Sequence, residues 1–193
     1  MSLRLTLGIA PEHRTEAARL YWQAFSGKLG RVLGPEPMAL AYLNRVIRAD
    51  HAIGAVGQGR LLGLAGFKSP EGGFADGKWS DLRATFGMAG GAWRIALLAA
   101  LGNEVDNRRF LVDGICVAED ARGHGIGSAL VEALCDLARQ RGYGEVRLEV
   151  VDTNTRARAL YARHGFEGTE VMRLGLLRHA FGFESAETMI RRL

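Results

Sequence analysis

Val117-Ala118-Glu119-Asp120-Ala121-Arg122-Gly123-His124-Gly125-Ile126-Gly127-Ser128 is the stretch on which the fold turns. Before it, Arg109 to Val117 reads as a strand; after it, Ile126 to Gln140 carries Leu130, Leu134, Leu137 and Ala138 at helical spacing and stops at Gly142 and Gly144. The loop between them has glycine at alternate positions, Gly123, Gly125 and Gly127. Without β-carbons, successive N–H groups of such a turn can converge on one anion, and the helix N-terminus adds its positive partial charge. Arg122 sets a fixed cation at the rim, which suits a pyrophosphate.

Outward from this unit the pattern continues in strands and helices. Leu3 to Ile9 alternates as a strand, Pro11 opens a helical run through Ala17, Leu20, Tyr21, Ala24 and Phe25, and a break at Gly34, Pro35 and Pro37 precedes a second helix ending near Asp50. Ala52 to Val56 and Arg60 to Phe67 flank Gly57-Gln58-Gly59 as a hairpin. Gly114, inside the strand before the glycine loop, predicts a bulge or a close approach of a ligand. Glu145 to Val151 reads as a strand, Thr155 to His164 as a helix stopped by Gly165, and Thr188 to Leu193 as a last strand. The order predicts one α/β domain over residues 1–193, with a mixed central sheet flanked by helices.

Residues 68–107 are an insert, about 40 residues where a connection of about five is usual. Pro70, Gly72, Gly73 and Gly77 make its first part loop. Leu82, Phe86, Trp93, Leu97 and Leu101 recur at i, i+4, i+7 and predict a helix with one buried stripe, weakened by Gly87, Gly90 and Gly91. Trp79, Trp93, Phe74 and Phe86 give the segment an aromatic character that suits either acceptor contact or burial, burial being the preferred reading, and its apolar surface makes a homodimer a candidate arrangement.

Composition narrows the function. The chain has 193 residues, 48% hydrophobic and 24% charged, which describes a globule with a core. Its longest apolar stretch, Ile95 to Leu101, is far below the roughly 20 residues that span a bilayer, and the first ten residues have no export-signal pattern, so the expectation is a cytoplasmic protein with no membrane partner. A net charge of +4 without a run of like charges does not argue for nucleic acid. Cys116 and Cys135 belong to no metal-spaced cluster and the five histidines include no HxxxH pair, so no metal is expected. The glycine loop misfits both nucleotide signatures: in the GxGxxG frame that starts at Gly125 the last position is Leu130, and no lysine follows as in a Walker loop.

The same stretch resembles the GNAT superfamily of N-acetyltransferases, whose acyl-CoA motif, V-x-x-x-x-[QR]-[GR]-x-G-[IL]-[GA], is matched by Val117, Arg122, Gly123, Gly125, Ile126 and Gly127. The likeness extends through Leu148-Glu149-Val150, Asn154 and Ala159-Leu160-Tyr161 to His164-Gly165-Phe166. It implies a GNAT-like acyl-CoA N-acyltransferase fold with acetyl-CoA as cosubstrate and a primary amine, of a small molecule or a protein, as acceptor. By resemblance, Ile115, Cys116 and Val117 offer backbone bonds to the pantetheine and acetyl group, and Gly123, His124, Gly125, Ile126, Gly127 and Ser128 hold the pyrophosphate beside Arg122. Asn154 bonds the pantetheine arm, a role compatible with capping its helix.

The resemblance further implies Glu149 as general base and Tyr161 as the acid that protonates the departing thiolate. An acceptor amine is protonated near neutral pH and must lose a proton before it attacks a thioester, so a carboxylate beside the acetyl carbon has a clear task. Glu149 could equally pair with Arg147 at the surface, and Tyr161 could be a core aromatic. Asp113 is a second candidate base on the preceding strand, whereas Cys116, on the same strand, reads as an inert buried thiol and not as a covalent acetyl carrier. A non-catalytic acyl-CoA-binding module is the alternative reading, and the presence of both Glu149 and Tyr161 argues against it.

Overall fold

The computed structural model of the chain describes residues 3–100 and 108–193. Period-two patterning shapes its centre. In β6 (Glu145–Val151) Val146, Leu148 and Val150 are buried while Arg147 and Glu149 point to the other face. The neighbouring strands, β5 (Phe110–Val117), β3 (Arg60–Ser69) and β2 (Ala52–Gly57), supply further core, with Phe67 and Phe110 fully covered and their ring centroids 5.3 Å apart. Together with β1 (Leu3–Leu7), β7 (Glu167–Arg173) and β8 (Ser185–Arg192) they form one sheet in the order β1-β2-β3-β5-β6-β8-β7, to which the short β4 (Gly72–Gly73) adds by pairing β3. Every pairing is antiparallel except β5 with β6. The β2–β3 turn puts both Gln58 and Gly59 at positive φ, as a tight hairpin requires.

Helices cover the sheet. α4 (Ile126–Gln140) buries Ile126, Leu130, Val131, Leu134 and Ala138 against β2, β3 and β5. α1 (Arg14–Leu33) packs on β3 and β5 and carries α2 (Glu36–Val46), and α5 (Thr155–Arg163) follows β6. A four-residue α6 (Arg178–Phe181) rests on α1, with Phe181 and Phe183 in a small second core beside Val32 and Leu174. The mixed sheet with flanking helices is the architecture expected from the element order.

The insert departs from expectation in detail. Residues 68 and 69 still belong to β3, and Gly72–Gly73 return as β4. α3 (Trp79–Ala100) is helical as predicted, but Gly87 leaves helical geometry at φ 74°, ψ 178° and kinks it. The kink breaks the phase that would have aligned one stripe: Leu82 is buried, Phe86 is half-buried, and Trp93 is 44% exposed. Leu101 and the side chain of Leu97 lie outside the described residues. Arg94 takes the stripe's place, its guanidinium stacked 4.0 Å from the Phe86 ring centroid and 4.3 Å from that of Trp93.

Gly114 marks both a bulge and a close approach. Gly66 pairs with Gly114 while Phe67 pairs with Val112, so Asp113 is the extra residue of β5. What approaches is the Phe25 ring of α1: a β-carbon built on Gly114 would lie 2.4 Å from Phe25 Cζ. Gly114→Ala should therefore push α1 from the sheet and lower stability by about 1–3 kcal/mol, the usual range for overpacking, which urea denaturation would measure.

Candidate active site

Parallel strands normally stay joined along their shared length. Here β5 and β6 pair only at Phe110 with Val146 and Leu111 with Arg147, then part. From Val112 onward the β5 edge toward β6 has no ladder partner, and the opening widens into a cleft of about 1640 Å³. That exceeds the roughly 300–1,000 Å³ of a site for one small ligand, so it has room for two reactants. Its lining includes Ile115, Cys116, Val117, Arg122, Gly123, Gly125, Ile126, Gly127, Ser128, Glu149, Asn154 and Tyr161. His124 is not among the lining residues; its Nδ1 lies 3.3 Å from the Ala121 carbonyl.

The α4 N-terminus opens onto the cleft. α4 begins at Gly125, which holds φ 78° and has no side chain to cap the helix, and no acidic residue occupies the first turn. The N–H groups of Ile126, Gly127 and Ser128 have no carbonyl one turn back, so they remain available. Beta-carbons at Gly123 (φ 85°) or Gly125 would meet no protein atom within 4 Å, so the space in front of this turn is open. Gly127 differs: a β-carbon there would lie 3.2 Å from Leu160 Cδ2, so this glycine also lets α5 approach α4. Arg122 Nε donates to the Val117 carbonyl at 3.3 Å, which holds the guanidinium at the rim. Arg156 and Arg163 of α5 line the cleft too, cations that helical position alone did not single out. α5 is capped from within, since Asn154 Oδ1 accepts from Ala157 N at 3.1 Å.

Tyr161 and Cys116 both line the cleft. Tyr161 is 8% exposed, and burial, with the Cys116 side chain second, pushes its phenol well above the ordinary tyrosine range. The hydroxyl therefore keeps its proton at neutral pH and makes no hydrogen bond among the described residues. Burial likewise raises the Cys116 thiol far above the usual range, with the Asp113 charge adding to the effect. A thiol so held carries little of the thiolate that acts as nucleophile near neutral pH.

Carboxylates and rings also line the cleft. Glu149 is 43% exposed and accepts from Arg147 Nη2 at a long 3.4 Å, the pairing anticipated from the sequence. Asp113 is committed differently: as the bulged residue it turns Oδ2 to the Ala75 amide at 3.0 Å and so ties the segment after β4 to β5. Tyr21 and Phe25 of α1, their ring centroids 4.5 Å apart, and Trp79 at the start of α3 line the cleft as well. These wall residues come from segments distant in sequence; the α1 periodicity hinted at two of them, and Trp79, for which the sequence favours burial, is instead 38% exposed and lines the cleft. Among the described residues no group of three or more His, Cys, Asp or Glu is arranged to hold a metal ion, and no helix is long and apolar enough to cross a membrane.

The Acetyltransferase (GNAT) family model matches residues 14–166. Streptothricin acetyltransferase of Streptomyces lavendulae is 39% identical over 92 residues, 48% of this chain and 48% of that protein. A probable N-acetyltransferase, camello, of Xenopus tropicalis is 39% identical over 71 residues, 37% of this chain and 32% of its own length. The chain thus spans at most about half the length of these curated relatives. Among solved structures, an N-acetyltransferase from Staphylococcus aureus Mu50 superposes with a TM-score of 0.66 at 16% identity, over 97% of this chain and 99% of that one, which is a likeness of fold.

Proposed function

The chain belongs to the acetyltransferase (GNAT) family, and on that premise we propose that it moves the acetyl group of acetyl-CoA directly to a primary amine. The observation that carries this reading is the parting of β5 from β6 in front of an uncapped α4 N-terminus. An extended, phosphate-bearing thioester needs that combination: a strand edge for its amide arm and a ring of N–H donors for its pyrophosphate.

The residues divide the work by position. Gly123 to Ser128 and Arg122 hold the pyrophosphate, and the open edge of Ile115 to Val117 with Asn154 holds the arm. Acetyl-CoA supplies the activated acetyl group. Glu149 removes a proton from the acceptor ammonium; its carboxylate is the freer of the two candidates, since the Asp113 carboxylate is engaged by Ala75 N. Tyr161, which burial keeps protonated, hands its proton to the departing sulfur. The acceptor end offers the carboxylates of Asp76, Asp113 and Glu149 beside Tyr21, Phe25 and Trp79, which favours an amine carried on a partly apolar body. The likeness to streptothricin acetyltransferase supports a small-molecule acceptor.

Thermal unfolding tests the donor half of this reading. Acetyl-CoA at about a hundredfold excess over its dissociation constant should stabilise the chain by about 2.7 kcal/mol, while NAD and ATP should not. Stabilisation by NAD with none by acetyl-CoA would overturn the assignment. Release of CoA thiol across a panel of amines then tests the acceptor half.

A further inference from the structure

The cleft holds a nucleophile that the transfer chemistry above does not use. Of the 25 lysines and arginines in the chain only three are lysines, Lys28, Lys68 and Lys78, and all three line this cleft. Everywhere else the chain uses arginine, whose guanidinium stays protonated and is no acceptor for an acyl group. An enzyme that acylates amines therefore presents its own lysine amines only where the acyl donor is expected.

The three are not equivalent. Lys78 is exposed ahead of α3, and the Lys68 stem lies along Gly73, 3.1 Å from where a β-carbon would stand. Lys28 reaches in from α1 with Nζ 5.6 Å from the Phe183 ring centroid, and it makes no hydrogen bond or ion pair within 4.0 Å among the described residues. Burial holds its ammonium below the ordinary lysine range, against the opposing charges of Glu149 and Asp113. Both carboxylates considered as general base thus bear on this one amine, and all three groups line the same cleft.

We propose that Lys28 is a self-acetylation site, its Nζ taking the acetyl group of acetyl-CoA inside the chain's own cleft. The inference rests on the acetyl-CoA reading above. The ammonium gives one proton to Glu149, and the free Nζ attacks the thioester carbonyl carbon. The amide C–N bond forms as the C–S bond breaks with its electron pair on sulfur; the second nitrogen proton is lost, the thiolate is protonated, and one proton in all passes to solvent. The product replaces a cation at the acceptor end by a bulkier neutral amide, which narrows acceptor access.

The test is incubation of the whole folded chain with acetyl-CoA and no added amine, read by intact mass and peptide mapping. A urea-unfolded sample reports uncatalysed acetylation of the same three lysines. One acetyl group should appear on Lys28, about tenfold or more faster than on Lys68 or Lys78 and than on Lys28 of the unfolded chain, since positioning beside a base accelerates transfer by at least that much. It should vanish in Lys28→Arg and persist in Lys68→Arg. Equal modification of the three lysines, or equal rates in folded and unfolded chains, would overturn the proposal, and the mapping of the unaltered chain decides this even if a variant misfolds. No acetylation while acetyl-CoA still raises the melting temperature would sink self-acetylation alone; no acetylation and no stabilisation would sink the donor reading with it.

Discussion

Gly125→Val should abolish acetyl-CoA binding while leaving the fold in place. Gly125 caps α4 at φ 78°, a conformation that costs an L-residue about 1–2 kcal/mol and a β-branched one more. A β-carbon there meets no protein atom within 4 Å, so the core is not disturbed. The added isopropyl group would instead stand in the space before the first-turn N–H groups, and the turn would tilt those donors away from a common point. The expected dissociation constant is raised about a hundredfold or more, a loss of about 2.7 kcal/mol or more of binding free energy. Gly59 provides the control, because it has nearly the same backbone, φ 73°, the same free space, and a place in the β2–β3 turn outside the cleft. Gly59→Val should lose a similar amount of stability and bind acetyl-CoA as the parent does. Calorimetric titration of the two variants reads the difference, and wild-type affinity in Gly125→Val would mean that the cradle holds no phosphate.

How much of this was legible in the sequence depends on how local the cause was. The strand, glycine loop and helix around residues 109–140 follow from short-range rules, and the structure returns them within a residue or two. β7 was not anticipated, because all of Glu167 to Arg173 are exposed and a strand with no buried face has no alternation to read. The α3 stripe failed at Gly87, where one residue at positive φ resets the helical phase. Gly114 was readable as a special position but not what it makes room for, since Phe25 lies almost ninety residues earlier and meets it only through packing of α1 on β5. Asp113 illustrates the limit in the site. As a residue type on the right strand it is a plausible base, yet the bulge that turns its carboxylate to Ala75 N is a property of β3 and β5 together. Lys28 is in the same class: its helix was visible, while the carboxylates it faces are contributed by two strands more than eighty residues further on.

The two proposed proton carriers should fail in different ways. Glu149→Gln keeps shape and can still contact Arg147, but it cannot take a proton, so turnover should fall by about 10²- to 10⁴-fold. Part of that loss should return as pH rises, because a free amine acceptor titrates near 10.4 and more of it then arrives deprotonated. Tyr161→Phe keeps the ring, its packing on Phe166 at 6.0 Å between centroids, and the acetyl-CoA affinity. It loses only a donor whose task begins as negative charge builds on sulfur, so kcat should fall with KM for acetyl-CoA nearly unchanged. The fall should be smaller than for Glu149→Gln, since a thiolate leaves tolerably without a proton. Burial raises the Tyr161 phenol, so its protonated form persists through neutral pH and across the ordinary tyrosine range, and its own ionisation should not bring down the alkaline limb of the parent's profile. Steady-state kinetics from pH 6 to about 10 on the parent and both variants separates these signatures. Full turnover in Tyr161→Phe together with loss in Asp113→Asn, in a protein that still melts like the parent, would move the proton chemistry to Asp113 and overturn both assignments.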